Sequence, residues 1–254
     1  MGVHAWKKVR IIMGKLDGKV ALITGGSMGI GRGIARAFAD EGCRLALTAR
    51  TASALEEAAA EMVSRGAEVV CQPADVADPD QMDIVFKLIL DRFGRLDILV
   101  NNAGAFDGGP IDELSLDKWD RVIATNLRGP FICTQAAMRI MKRQKCGRII
   151  NIGSISAQRV RPNSAPYSAS KFGLWGLTQV TALDGREHGI TCGCLHPGNT
   201  MIERRQVEND LRGEPMMKVE HVVEVARVMA TLPPDVAMLE AIVLPRDQEY
   251  IGRG

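Results

Sequence analysis

Apolar positions along the chain fall into two alternating rhythms. Val20-Ala21-Leu22-Ile23 is a continuous apolar run with β-branched members, the pattern of a short strand buried on both faces of a parallel sheet. Glycines follow at once, and beyond them Ile34, Ala35, Phe38 and Ala39 recur at helical spacing, which predicts a helix. The same succession then repeats. Further strands are expected at Arg44 to Arg50, Glu68 to Gln72, Leu96 to Val100, Arg148 to Ile152, Gly189 to Leu195 and Ala241 to Leu244. Helices are expected at Ala52 to Gly66, at Asp80 to Phe93 with Gly94 as its stop, at Ser115 to Arg143, from Tyr167 through Leu174, Leu177 and Val180, and at Val222 to Leu232. Strands alternating with helices predict an α/β fold: one doubly wound, Rossmann-type domain whose central parallel, roughly seven-stranded sheet is flanked by helices.

Composition narrows the classes. The chain has 254 residues and no Pro/Gly/Ser-rich linker, so a single domain over 1–254 is expected. With 32 basic against 30 acidic residues and a net charge of +2, no basic face stands out, and nucleic acid is not an expected partner. No apolar stretch approaches the ~20 residues that span a bilayer, so a soluble, cytoplasmic protein without membrane contact is expected. Cys43, Cys71, Cys133, Cys146, Cys192 and Cys194 show no Cys-x-x-Cys spacing and read as reduced thiols. Cys192 and Cys194 share a strand face, but His4, His188, His196 and His221 bring no ligand spacing to them, so no metal is expected. Residues 1–15 are basic with only Ile11-Ile12 as an apolar pair, too little for a secretory signal; they read as a disordered extension ahead of the domain. Residues 199–217 are charged, with Glu203, Arg204, Arg205, Glu208 and Asp210. They are expected to form a lid, its arginines facing either an anionic substrate or solvent.

The chemistry-bearing residues stand at the ends of the expected strands. Thr24-Gly25-Gly26-Ser27-Met28-Gly29-Ile30-Gly31 lies between the first strand and the first helix. Unpaired helix N–H groups point out there, and glycine lets a diphosphate approach the backbone, although glycines also serve ordinary turns. At the end of the second strand no acid appears. Ala49 is followed by Arg50, whose guanidinium fork suits a 2′-phosphate, where a carboxylate would instead take ribose hydroxyls; a solvated arginine opening the next helix is the plainer alternative. The third strand closes at Asp75-Val76, the fourth at Asn101-Asn102-Ala103-Gly104, the fifth at Ser154, and the sixth at His196-Pro197-Gly198-Asn199-Thr200. His196 reads as a strand-end residue only. Asn126 lies within an apolar helical face and, if buried, must be hydrogen-bonded. Tyr167 and Lys171, four residues apart, share one helical face. An isolated tyrosine titrates at about 10, and an ammonium one turn away favours its phenolate and makes proton exchange with an alcohol or carbonyl oxygen practical.

In this order, Thr-Gly-x-x-x-Gly-x-Gly, Asn-Asn-Ala-Gly, Asn126, Ser154 and Tyr-x-x-x-Lys resemble the short-chain dehydrogenase/reductase family, in particular its 3-oxoacyl-acyl carrier protein reductases and related NADP(H) ketoreductases. The likeness covers roughly Lys19 to Pro197. It implies an NAD(P)-dependent oxidoreductase acting on a secondary alcohol or ketone, NADP(H) being preferred because of Arg50 and NAD(H) remaining possible. By the resemblance, Ser154 binds the substrate oxygen, Tyr167 exchanges the proton, Lys171 holds the nicotinamide ribose, and Asn126 completes the relay through a local backbone distortion and a water. The dinucleotide is expected on Gly25, Ser27, Met28, Gly29, Ile30, Gly31, Arg50, Asp75, Val76, Asn102, Ala103, Gly104, Tyr167, Lys171, Pro197, Gly198 and Thr200. Asp75 in that role takes the adenine amino group, though it reads equally as an N-cap or loop residue. Three positions depart from the family. Met28 stands where NADP-preferring relatives often have a cation, Ile202 aligns with the usual carboxamide-binding threonine with Thr200 as its substitute, and Leu-Pro-Arg-Asp with a Tyr-Ile-Gly-Arg-Gly tail replaces the frequent Asp-Gly-Gly ending. The resemblance further implies a homodimer or homotetramer built on the helices at Ser115 to Arg143 and from Tyr167. The alternative activities are a non-catalytic dinucleotide-binding regulator or structural subunit of the same fold, and an epimerase or dehydratase, which usually has a larger carboxyl-terminal region.

Overall fold

The computed structural model describes residues 14–202 and 213–249. Most of the expected extension, residues 203–212 of the expected lid, and the tail 250–254 lie outside the described residues. Strands in chain order are β1 (Val20–Thr24), β2 (Arg44–Thr48), β3 (Val69–Cys71), β4 (Ile98–Asn101), β5 (Gly147–Ile152), β6 (Ile190–Pro197), β7 (Thr200–Met201), β8 (Met217–Lys218) and β9 (Glu240–Val243). Seven of them form one sheet of order β3-β2-β1-β4-β5-β6-β9, and all its pairings are parallel. The short β7 and β8 pair separately.

β1 is buried along its whole length, and successive side chains leave it on opposite faces. Ala21 and Ile23 pack with Ile34, Phe38, Leu55, Met62, Val222 and Ala226, whereas Val20 and Leu22 pack with Val85, Ile89, Ala137 and Met141. Two apolar layers on one strand leave no polar alternation, which is why the run reads as continuous. The first layer comes from α1 (Gly29–Asp40), α2 (Ala52–Ser64) and α7 (Val219–Thr231), the second from α3 (Pro79–Phe93) and α5 (Gly129–Gln144), with Ala182 of α6 (Ala165–Gly185) against it. α1 and α7 approach closely at Gly33, where a Cβ would stand 2.8 Å from Val219 and Val223.

The chain winds outward from β1 in both directions, to β2 and β3 on one side and to β4, β5, β6 and β9 on the other. The strand order therefore reverses between β1 and β4, and in doubly wound sheets ligands bind in the crevice that this reversal opens at the carboxyl ends of the strands. At the opposite edge the buried Asp97 carboxylate accepts from Val20 N–H at 3.0 Å and from Arg95 Nε at 2.8 Å, with Lys19 at 3.5 Å. It fixes the start of β4 against β1.

Element boundaries differ from expectation where tertiary pairing decides them. β3 shrinks to Val69–Cys71 at the sheet edge, while β6 runs on to Pro197 because β9 pairs with its end, His196 with Ile242 and Pro197 with Val243. α3 starts one residue before Asp80 because Asp78 caps it, accepting from the N–H groups of Asp80 and Gln81, and Pro79 needs no N–H partner at that position. The expected long helix opens at the cap Ser115 as α4 (Leu116–Ile123), but a π-helical segment, Ala124–Arg128, separates α4 from α5. Among the described residues no helix is long and apolar enough to cross a membrane.

Between α1 and α2 the Glu61 carboxylate accepts from Arg32 Nε at 2.7 Å, from Arg36, and lies 3.6 Å from Arg65 Nε. The guanidinium hydrogen bonds, Arg36 foremost, hold its carboxyl down from 4.5 to about 2. A depressed folded-state value means that this contribution to stability is complete above the unfolded value and is lost as pH falls through the folded one. The gap in urea midpoint between wild type and Glu61→Gln should therefore stay constant down to about pH 5 and narrow below it. A gap independent of pH through this range would remove Glu61 as the titrating group.

Candidate active site

Thr24 ends β1 and closes the switch point. Its hydroxyl donates to Val100 O at 3.3 Å and accepts from the N–H groups of Asn102 and Ala103, each at 3.0 Å. Asn102 returns the clamp, its Nδ2 donating to Thr24 O at 2.9 Å and Gly25 O at 3.0 Å. The Asn102 side chain is thus turned into the glycine turn with both amide protons used. Gly25 (φ 64°) and Gly29 (φ 55°) adopt left-handed backbone, which glycine takes without strain. A Cβ on Gly31 would lie 2.3 Å from Gly25 O and 2.4 Å from Asn102 Nδ2. The cap residue of α1, Met28, offers no side-chain hydrogen bond to the helix, and the first turn holds no acid. Such a terminus, with its positive dipole end, suits a diphosphate. Ser27 is buried beneath the turn, Met28 is exposed, and Ile30 packs half-buried on the α1 side of the core.

The ends of β2 and β3 are drawn to the same crevice. Gly26 N–H donates to Thr48 O at 3.2 Å and Ala74 N–H to Ala49 O at 3.1 Å. Arg50 is exposed, with no ion pair or side-chain hydrogen bond among the described residues. Asp75 folds into an Asx turn, its Oδ1 accepting from Ala77 N–H at 2.9 Å; the N-cap of α3 is Asp78. Val76 is buried, and a Cβ on Gly129 would come within 2.6 Å of it. Asn102, Ala103 and the exposed Gly104 follow directly on the end of β4. Asn101 is buried, and its Nδ2 ties β4 to β5 through Asn151 Oδ1 at 2.8 Å and to α5 through Thr134 Oγ1 at 3.1 Å.

Ser154, Tyr167, Lys171 and Asn126 gather around the end of β5. The Lys171 ammonium is buried, donates to Ile152 O at 2.8 Å and stands 5.6 Å from the centre of the Tyr167 ring. Phe106, half-exposed, meets that ring edge-on at 5.2 Å. Asn126 lies in the π-helical segment with its carboxamide fully engaged: Oδ1 accepts from Ala105 N–H at 2.7 Å, and Nδ2 donates to Ala105 O at 2.8 Å and to Ser170 Oγ at 3.2 Å. Ser170 Oγ in turn donates to Tyr167 O at 2.7 Å, so the π segment grips the same turn of α6 that carries Tyr167 and Lys171. Ser154 caps a short 3-10 turn, its Oγ accepting from Ser156 N–H at 3.1 Å.

Beyond β6, Gly198 N–H donates to Val243 O at 2.7 Å, and the Thr200 hydroxyl donates to Gly198 O at 3.1 Å. Residues that sequence reasoning passed over surround this turn. Asn199 N–H donates to Gln248 Oε1 at 2.8 Å, Asn199 Nδ2 to Glu214 Oε2 at 2.6 Å, and Arg161 bridges Glu214 at 3.0 Å and Asn199 Oδ1 at 3.4 Å. Only the atypical ending hinted that the carboxyl-terminal segment reaches this turn.

His196 is wholly buried rather than a plain strand end. Its Nδ1 lies 2.8 Å from Ser154 O, its ring meets Trp175 edge-on at 5.7 Å, and Nε2 stands 3.5 Å from Glu240 Oε1 without a hydrogen bond. Burial lowers its pKa, against opposing effects of the Ser154 hydrogen bond and Glu240. Burial likewise pushes the Cys194 thiol up to about 12 and the Cys192 thiol further. Among the described residues no group of three or more His, Cys, Asp or Glu could hold a metal ion.

Comparison with known proteins gives a consistent answer. The sequence model of the family described as short chain dehydrogenase matches residues 19–211. The chain is 37% identical to a 3-oxoacyl-[acyl-carrier-protein] reductase of Synechocystis sp. over 229 residues, covering 89% of this chain and 93% of that protein. It is 38% identical to the (2S)-[(R)-hydroxy(phenyl)methyl]succinyl-CoA dehydrogenase subunit BbsD of Thauera aromatica, with 72% and 73% covered. A crystal structure of a metagenomic short-chain oxidoreductase in complex with NADP superimposes with a TM-score of 0.81 at 32% identity, over 91% of this chain and 98% of the other.

The glycine turn yields a direct structural prediction. Gly31→Ala should destabilise the fold by about 1–3 kcal/mol, because the new methyl meets the Gly25 carbonyl and the Asn102 amide rather than a movable side-chain end. Urea unfolding measures it, and an unchanged midpoint would show that the Thr24–Asn102 clamp yields freely.

Proposed function

The chain belongs to the short-chain dehydrogenase/reductase family of NAD(P)-dependent oxidoreductases, and on that premise we propose that it interconverts a secondary alcohol and a ketone with Ser154, Tyr167, Lys171 and Asn126 as its proton-handling set. The observation that carries this reading is the convergence of these residues, from β5, α6 and the π segment, on one crevice edge, with Lys171 Nζ 5.6 Å from the Tyr167 ring. A non-catalytic regulator of the same fold would be free to lose a member of the set, and none is missing.

The glycine turn fits a dinucleotide diphosphate: backbone held in left-handed conformations, a gap that a Cβ would fill, and a helix terminus without an acid. In the proposed complex Gly25, Ser27, Met28, Gly29, Ile30 and Gly31 cradle the diphosphate, Asp75, Val76, Asn102, Ala103 and Gly104 border the adenosine, and Lys171, Pro197, Gly198 and Thr200 border the nicotinamide. When bound, the nicotinamide gives or takes the hydride. Ser154 Oγ donates a hydrogen bond to the substrate oxygen, and Tyr167 passes its phenolic proton to that oxygen in the direction of reduction. The Lys171 ammonium places positive charge beside the phenol, its remaining protons directed to ribose hydroxyls. Asn126 fixes the turn of α6 on which both depend. Phe106 supplies an apolar wall against the Tyr167 ring for the substrate's hydrocarbon part.

Other parts of the reading have their own supports. Six free cysteines suit a reducing, cytoplasmic setting. Phe131 on α5 and Phe172, Val180 and Leu183 on α6 are exposed, which supports pairing of these helices with their copies in a dimer or tetramer.

A panel of 3-oxoacyl thioesters, ketones, aldehydes and quinones, followed by NADPH oxidation, tests the activity and identifies the substrate. Tyr167→Phe should lower turnover on the order of 10²- to 10⁴-fold while leaving NADPH affinity nearly unchanged, since the ring packing survives. Lys171→Ala should impair both. Retained turnover in the phenylalanine variant would remove Tyr167 as the proton donor, and normal cofactor binding in the alanine variant would remove the ribose contact.

Cofactor choice rests on Ala49 and Arg50. A desolvated arginine–phosphate contact contributes about 1.5–3 kcal/mol, so NADPH should bind about tenfold or more tighter than NADH. Arg50→Ala should erase most of that difference with little effect on NADH, and Ala49→Asp should shift preference to NADH by repelling the phosphate. Fluorescence titration decides it, and equal wild-type affinities would place Arg50 in solvent.

A further inference from the structure

We propose that His196 is a positioning residue for the reaction, holding the backbone of Ser154 through its Nδ1–H so that the serine hydroxyl meets the substrate oxygen. The inference rests on the proposed role of Ser154. Nδ1 lies 2.8 Å from the Ser154 carbonyl oxygen and 3.3 Å from the Ser154 amide nitrogen, and the shorter contact assigns the ring proton to Nδ1, which then donates to the carbonyl. The contact joins the end of β6 to the second residue after β5, across the two strands whose ends carry the reacting groups and the Pro197-Gly198 turn.

The surroundings are built around this ring. A Cβ on Gly153 would stand 2.6 Å from Nδ1 and 2.9 Å from Cε1, so the residue before Ser154 is one whose lack of a side chain admits the imidazole. Trp175 of α6 meets the ring edge-on. Glu240 of β9 lies 3.5 Å from Nε2 and also takes the Gln158 amide, which lies just past the 3-10 turn that Ser154 opens. The Ser154 segment is thus held at its carbonyl by His196 and at its far end by Gln158 and Glu240. A buried imidazole with an unanswered Nε2 costs free energy that an aliphatic residue of this core would not. The Nδ1–H contact is what that cost retains.

Asparagine places an amide donor near the Nδ1 position, whereas glutamine reaches the Nε2 position and lacks the nearer donor. On the carbonyl compound that the wild type reduces fastest, His196→Asn should keep kcat within a few-fold. His196→Gln should lose about ten- to a hundredfold in kcat, with KM for NADPH unchanged and both variants melting at similar temperatures. Equal loss in both variants, or no loss in His196→Gln, overturns the proposal. Ser154→Ala is measured alongside: if it retains full turnover, the functional reading of Ser154 fails, whichever way the histidine variants behave. Long-range proton–nitrogen correlation spectra of histidine-labelled wild type give a test that needs no turnover. A ring protonated at Nδ1 supports the proposal, and one protonated only at Nε2 overturns it.

Discussion

The hydroxyl of Thr24 is the contact on which the crevice depends. It spends its one proton on Val100 O and both lone pairs on the N–H groups of Asn102 and Ala103, so the diverging ends of β1 and β4 are locked at the point where the sheet reverses. Asn102 completes the lock by donating to Thr24 O and Gly25 O, and Gly31 fits against both Gly25 and Asn102 only because it lacks a Cβ. The glycine turn and the path of the chain through Asn102 and Ala103 are therefore one packed unit. A change in either would be felt in the other, since these groups have no slack.

A second fixed point lies deeper along the same edge. The π-helical segment Ala124–Arg128 turns Asn126 inward, where it clamps Ala105 on one side and Ser170 on the other. An uninterrupted α-helix through Ile123 and Gly129 would carry residue 126 at a different angle, so the irregularity and the buried amide explain one another. Through Ser170 the clamp bears on the Tyr167 carbonyl, and through Ala105 on the loop that carries Phe106. The polar chain beneath, Asn101 to Asn151 to Thr178, ties β4, β5 and α6 in the same region. Tyr167 and Lys171 stand on a base of buried amides rather than on apolar packing alone, which narrows the positions they can take.

These layers differ in how far they could be read from sequence. The strands and helices were legible because their apolar spacing is local, and the glycine turn because backbone conformation limits residue type. The parallel seven-stranded sheet followed from the alternation. The apolar period of Ser115 to Arg143 runs through the π segment with only Asn126 out of place, so the pattern alone did not mark the break; the local backbone distortion at Asn126 that the family resemblance implied is the π segment. His196 was hidden for a different reason: its role depends on a neighbour 42 positions away in the chain, and nothing in its own segment distinguishes it from a residue closing a strand. The same holds for Gln248, whose partner Asn199 is 49 positions distant. Asp75 could be read as a cap until the structure showed Asp78 in that place.

The departures from the family pattern are concentrated beyond β6, and the two halves of the crevice show why that half tolerates them. An anion at the glycine turn would meet backbone N–H groups, so the fit there is set by conformations and clearances that few substitutions preserve. The turn beyond β6 is instead held by side chains from separate segments: Arg161 before α6, Glu214 after residue 212, and Gln248 near the end of the described chain. With Ile202 beyond it the turn itself stays in place, because Gly198 N–H is bonded to Val243 and Asn199 N–H to Gln248 of the atypical carboxyl-terminal ending. The same network sets the charge beside this turn. Arg161 is paired with Glu214, so its charge is already answered and it would offer an anionic ligand much less than an unpaired arginine would. Among the described residues Phe106 sets an apolar face against Tyr167, a surface that would suit a carbonyl borne on a hydrocarbon chain.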